Sequence, residues 1–195
     1  MSSNPWVRAA VESNSVPVEE SELTQPHSEK IWRPLVTREM PADGIPVFEV
    51  SDDTSQNLWM VGAHGGAGTS TLARLCDAGD AGVAWPVGTV FTNAVVVARG
   101  DMRGLRAAQR AALQWTSGAV PSVNLIGVAF VADCAGREPK PLKEFRRFVS
   151  GAFPQAWFIP WIDAWRTSGS GELSTVPRMV RKIVFEISQH SERTR

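Results

Sequence analysis

The chemistry available to this chain is concentrated in one short run, Ala63-His-Gly-Gly-Ala-Gly-Thr-Ser-Thr71. Gly65, Gly66 and Gly68 free the backbone to turn its N–H groups inward, and Ser70 and Thr71 add hydroxyls where a helix can begin. Proteins hold phosphate with such a run: convergent amides offset the anionic oxygens, a lysine adds a point charge and a hydroxyl reaches the metal. Measured against the pattern G-x-x-x-x-G-K-S/T, the best frame runs from Ala63 to Ser70. Ala63 replaces the first glycine, Gly68 is the second, Thr69 stands in the lysine's place and Ser70 in that of the metal-binding hydroxyl. His64 is either a partial cation beside a bound phosphate or, more simply, a loop histidine exposed to solvent. His64, Gly65, Gly66, Gly68, Thr69, Ser70 and Thr71 are therefore the candidate contacts for ATP or another phosphate-bearing ligand with Mg2+, and Ser70 is the candidate metal contact.

Two carboxylates join this set. Asp133 and Asp163 each follow an apolar, strand-like run, and open α/β sheets bind ligands outside the carboxyl ends of their strands. For Asp163 the plainer role is capping, because Ala164-Trp-Arg166 after it reads as a helical turn. Trp157, Trp161 and Trp165 recur every four residues across a change from strand to turn. They serve core packing or, alternatively, form an exposed aromatic patch for a partner or a base. Basic side chains gather at Arg99, Arg103, Arg106 and Arg110, and again at Lys140, Lys143, Arg146 and Arg147. These are solvated helix faces, or a DNA-facing surface if they converge. Nucleophilic catalysis finds little: Ser70 and Thr71 have no base but His64, no G-x-S-x-G elbow occurs, and the 3 histidines show no metal spacing. Cys76 and Cys134 match no redox or metal pattern, which predicts buried free thiols in a reducing compartment over a disulfide.

The elements that must position these residues alternate. Pro46–Val50 reads as a short edge strand, and Leu58–Gly62 as the buried parallel strand that delivers the glycine loop. A helix follows with Leu72, Leu75 and Cys76 on one face. Residues 79–91 are a Gly-rich connection with a short strand around Val83–Pro86. Asn93–Ala98 is a buried strand, Arg103–Trp115 a helix burying Leu105, Ala108, Ala112 and Trp115, and Val123–Ala132 a third apolar strand. Leu142–Val149 has helical period with Leu142, Phe145 and Val149 inward, Ala156–Ile159 is a fourth strand, and a Gly/Ser linker occupies 167–172. The last helix begins near Ser174 or Thr175, with Pro177 in its first turn and Val180, Ile183, Val184 and Ile187 as its stripe. Strands alternating with helices predict a three-layer α/β/α fold with a mostly parallel sheet.

Length and composition bound the rest. A chain of 195 residues suits one domain plus extensions, here a domain over 45–190 behind a tail and arm over 1–44. Basic and acidic residues balance at 20 each, so no global field calls for a polyanionic partner. Glu12, Glu19, Glu20, Glu22 and Glu29 outweigh Arg8 and Lys30 in the first 30 residues, the composition of a solvated, disordered acidic tail. No apolar run approaches the roughly 20 residues of a membrane helix and no signal peptide is visible. Eight Trp and 8 Phe without one Tyr leave the aromatic work to rings with at most a single N–H donor.

The segment Val61-Gly-Ala-His-Gly-Gly-Ala-Gly-Thr-Ser-Thr-Leu72 resembles the deviant Walker A loop of the ParA/MinD family, K-G-G-x-G-K-S/T-T. The strand at Asn93–Ala98 with its helix, the strand at Val123–Ala132, and Ile159-Pro160 with Asp163 and Arg166 are similar to later parts of that family, over about 58–166. The resemblance implies a P-loop NTPase-like domain. Both lysines of the family's loop are absent, His64 standing in one position and Thr69 in the other. In a water-excluding site each lost charge-assisted contact is worth about 1.5–3 kcal/mol, which argues against tight ATP binding. Between Gly79 and Thr92 there is no Walker B stretch and no switch aspartate, so phosphoryl transfer lacks its usual parts. Gly62–Thr71, Gly104–Gln109 and Pro160–Arg166 also resemble short bacterial proteins met on plasmids and integrative elements. What these resemblances imply is a ParA/MinD-like pseudo-ATPase, catalytically inactive or nearly so. It would be a cytoplasmic accessory or scaffold protein of plasmid maintenance or conjugative transfer, acting through a protein partner. The alternatives are a genuine nucleotide-binding switch with a lysine supplied by another chain, and a nonspecific DNA-binding module using Arg103, Arg106, Arg110, Lys143, Arg146 and Arg147.

Overall fold

A computed structural model describes residues 44–51, 54–167 and 176–192. The tail and arm up to residue 43, and the linker beyond Thr167, fall outside these residues. The elements are β1 (Val47–Glu49), β2 (Leu58–Gly62), α1 (Thr69–Leu75), β3 (Gly79–Asp80), β4 (Trp85–Val87), β5 (Thr92–Arg99), α2 (Met102–Thr116), β6 (Val123–Val131), α3 (Lys140–Ser150), β7 (Ala156–Ile159), α4 (Ala164–Thr167) and α5 (Arg178–Glu192).

Five strands form one sheet in the order β3-β2-β5-β6-β7, and every pairing in it is parallel. β2, β5 and β6 are buried along almost their whole length, which explains their near-continuous apolar sequences. Their side chains alternate between two cores. Trp59, Val61, Val96 and Phe130 meet α2 and α3 on one face, while Met60, Val95 and Val97 meet α1 and α5 on the other. The result is the three-layer α/β/α fold that the alternating pattern predicts.

With the five strands counted in chain order, the sheet reads 2-1-3-4-5. The connection leaving β2 runs to one face and the one leaving β5 to the other, so a crevice opens between the carboxyl ends of these two strands, the usual ligand site of doubly wound sheets. Local chemistry fixes its rim. Asp101 caps α2 by accepting the Gly104 N–H at 2.6 Å. At Gly104 a Cβ would run into the Arg99 carbonyl, so only glycine lets the first turn of α2 close over the end of β5.

The amino end of the sheet is closed differently. Gln114, 3% exposed on α2, accepts hydrogen bonds from the Ile45 N–H at 2.9 Å and the Trp85 indole at 3.1 Å, and donates to the Ile45 carbonyl at 2.8 Å. β1 is not an edge of the main sheet, as the sequence suggests, but pairs in parallel with β4 as a separate ribbon, Val47 opposite Trp85. Two-residue β3 has no sequence signal of its own; it exists because Gly79 lets the Trp59 ring lie where a Cβ would collide. The stripe of the last helix is right, with Val180, Val184 and Ile187 buried, but the helix starts after Pro177. Cys76 is buried as expected, whereas Cys134 is exposed, because it lies in the loop after β6; both thiols are free. Among the described residues no helix is long and apolar enough to cross a membrane.

Candidate functional site

Two adjoining clefts lie at the carboxyl end of the sheet. The larger, about 370 Å³, is lined by the glycine loop from His64 to Thr71, by Gly82 and Val83, and by Arg99. The smaller, about 200 Å³, is walled by Trp161, Trp165, Ile162 and Pro160. The two share Gly68, Thr71 and Arg99.

The loop takes its shape from ladder bonds that outlast the strands. Gly62 N–H donates to Gly82 O at 2.7 Å and Ala63 N–H to Val97 O at 2.8 Å, holding the chain in register up to the loop. Gly68, at φ 101°, then makes the left-handed turn into α1 that a side chain would strain. Among the described residues, none accepts a hydrogen bond from the backbone N–H groups of Gly65 to Thr71. Thr69, in the lysine's position, is only 8% exposed. Its Oγ1 lies over β2, where a Cβ at Gly62 would approach it to 2.6 Å and Gly82 O to 2.8 Å. Ser70 is exposed and Thr71 half-buried, both on the cleft wall.

Arg99 supplies the positive charge, although the sequence reading groups it with the arginines of α2. Its Nε donates to Gly66 O at 3.0 Å and its Nη1 to Ala132 O at 3.2 Å, so the guanidinium spans the ends of β2, β5 and β6 between the two clefts. No described carboxylate lies within ion-pair distance of it. The available signal was positional: Arg99 is the first charged residue after seven buried ones, at the carboxyl end of a central strand. His64 lines the larger cleft and is not the solvent-exposed loop histidine of the plainer expectation. It is half-buried, its Nδ1 donates to Gly65 O at 2.8 Å, and its Nε2 accepts the Arg99 backbone N–H at 3.2 Å.

The two aspartates do not enter the clefts. Asp133 is exposed and lines neither cleft. Asp163 precedes α4 and accepts the Trp161 indole N–H at 2.7 Å, so it sets the ring that lines the smaller cleft. Trp157 departs from the other two tryptophans: it is buried in the α5 core with its N–H on Glu186 at 3.2 Å. Among the described residues, none accepts the buried indole N–H of Trp165. These residues do not fit a resident Mg2+, because among the described residues no carboxylate lines either cleft and no group of three metal-ligating side chains occurs. Any metal would have to arrive with its ligand.

The fold and this crevice define a doubly wound α/β protein with a glycine loop and one guanidinium at its topological switch point. Residues 56–184 match the model described as "Family of unknown function (DUF6668)", and the chain belongs to that family. No curated protein and no solved structure matches the chain.

Proposed function

We propose that the protein is a non-hydrolysing binding module of ParA/MinD-like build, a pseudo-ATPase that holds a phosphate-bearing ligand in the crevice and acts through a partner. The observation that carries this reading is Arg99, a guanidinium fixed by two carbonyls beside a loop whose N–H groups, among the described residues, meet no acceptor, with no described carboxylate lining either cleft. The cation and the amides favour an anion. The described lining offers no carboxylate to hold a metal or orient an attacking water. A role in plasmid maintenance or transfer rests on sequence resemblance alone. Calorimetry with ATP, ADP and GTP, with and without Mg2+, tests the reading: binding that Arg99→Ala weakens, without turnover above background, is expected. Hydrolysis, or affinity indifferent to Arg99, would overturn it.

A second reading concerns the layer of α2 and α3, which pack against each other on one face. Arg103, Arg106, Arg110, Lys140, Lys143 and Arg147 are exposed there against the single acid Glu144 of these helices. Arg146 leaves that set, because Glu138 takes it in a paired contact at 2.9 and 2.8 Å and it stacks over Phe158 at 4.4 Å. Such a face suits a nucleic-acid backbone. Anisotropy with random duplex should show binding that falls steeply with salt, and its absence at low salt ends this reading.

A further inference from the structure

We infer that His64 is a positioning residue for Arg99, working through its neutral ring, and that protonation of that ring weakens the anion site. The inference deepens the anion-binding reading of the crevice and rests on it.

The hydrogen bonds around the ring dictate its state. A carbonyl can only accept, so the 2.8 Å contact between Nδ1 and Gly65 O requires a proton on Nδ1. A backbone N–H can only donate, so the 3.2 Å contact from the Arg99 amide requires a bare Nε2. Both hold only in the neutral tautomer with its proton on Nδ1. In that form the ring ties the loop after β2 to the last residue of β5. The side chain of that residue reaches back to Gly66 O on the same loop, which closes a ring of contacts running His64, Arg99, Gly66.

A second proton, on Nε2, turns the acceptor into a donor facing a donor, and the tie to the Arg99 backbone is lost. Among the described residues that line the cleft His64 borders, the only other charged side chain is Arg99 itself. Among the described residues no carboxylate there would hold an imidazolium in place; α1 contributes Thr69, Ser70 and Thr71, and the stretch beyond β3 Gly82 and Val83. The acids that flank the cleft's residues in the chain accept backbone N–H groups, Asp80 from Gly82 at 2.9 Å and Asp101 from Gly104 at 2.6 Å, and among the described residues no carboxylate lies within ion-pair distance of His64. A cationic His64 would therefore stand beside the guanidinium unpaired. Its two possible roles predict opposite signs: a positioning acceptor loses the anion as it protonates, whereas a direct cationic contact gains it.

Sulfate is the probe, since it stays a dianion between about pH 8 and pH 5, the span over which imidazoles change charge. Its affinity is read from amide shifts of the loop. The wild-type protein should bind sulfate roughly three- to tenfold more weakly at the acid end, the weight of about one hydrogen bond. His64→Gln, whose Oε1 can accept the same N–H, should keep the affinity seen at pH 8 and lose the pH dependence; His64→Ala should be weak throughout. Affinity that rises toward acid pH, or a His64→Gln variant as weak as His64→Ala, overturns the proposal. Long-range ¹H–¹⁵N spectra of the wild-type ring give a second decision that needs no variant to fold: a proton on Nε2 at pH 8 refutes the positioning role even if sulfate binds. No sulfate binding at pH 8 would remove the anion site and this proposal together.

Discussion

Gln114 and Arg99 are the same device at opposite ends of one sheet. Each is a long polar side chain bonded to backbone groups of distant segments, Gln114 to Ile45 and Arg99 to Gly66 and Ala132. They differ in surroundings. Gln114 is 3% exposed and its amide is spent on buried partners, so it works as a stitch. Arg99 is half-buried between two clefts, carries a charge no described carboxylate meets, and keeps donors to spare. Side chains that look alike on a contact map thus divide into structural and functional by what they leave unsatisfied.

The contrast can be broken by substitution. Gln114→Ala leaves the Ile45 amide and carbonyl and the Trp85 indole without their partner in a closed interior, and should cost about 3 kcal/mol or more in denaturant unfolding while sulfate affinity stays within twofold. Gly62→Ala tests whether the carboxyl end is as soft as its exposure suggests. Thr69 Oγ1 and Gly82 O crowd the new methyl, so a loss of about 2 kcal/mol in unfolding, together with weaker anion binding, is expected. Arg99→Ala should invert the first result, with stability changed by about 1 kcal/mol or less and anion affinity down about tenfold by calorimetry.

The smallest effect near neutrality comes from Cys76, just behind the glycine-loop helix. Burial pushes its thiol from 9.0 up to about 12. Because the folded value is the higher one, this contribution is whole below pH 9.0 and is lost as pH climbs toward 12. Unfolding curves should show about 1 kcal/mol of it gone by roughly pH 10, and Cys76→Ala should flatten that slope. Alkylation at neutral pH followed by mass spectrometry should mark exposed Cys134 and spare Cys76.

Most of the fold was legible because parallel strands buried on both faces write themselves as unbroken apolar runs, as at Leu58–Gly62 and Asn93–Ala98. The glycine loop was legible too, since few other roles bring Gly65, Gly66 and Gly68 so close together. Pairing was not. β1 and β4 are three residues each, and nothing in Val47–Glu49 says that its partner lies beyond β2, α1 and β3. The site was half legible for the same reason. Arg99 and His64 are 35 residues apart, and only the parallel register of β2 with β5 turns two unremarkable positions into neighbours. The two aspartates stood at the right ends of strands, but a side chain beyond a strand end need not turn inward.

Every strand pairing among the described residues is parallel, and none is a hairpin. No two strands can therefore meet by folding back over a tight turn, and each contact waits for the closure of a crossover. The assembly should be slow for its size. β1 has the longest wait: its place beside β4 encloses the whole β2–α1–β3 unit, so it docks only after that unit has closed. Amide exchange should find Val47–Glu49 the first strand to open, a latch at the amino end that can lift while the glycine loop at the other end keeps its shape.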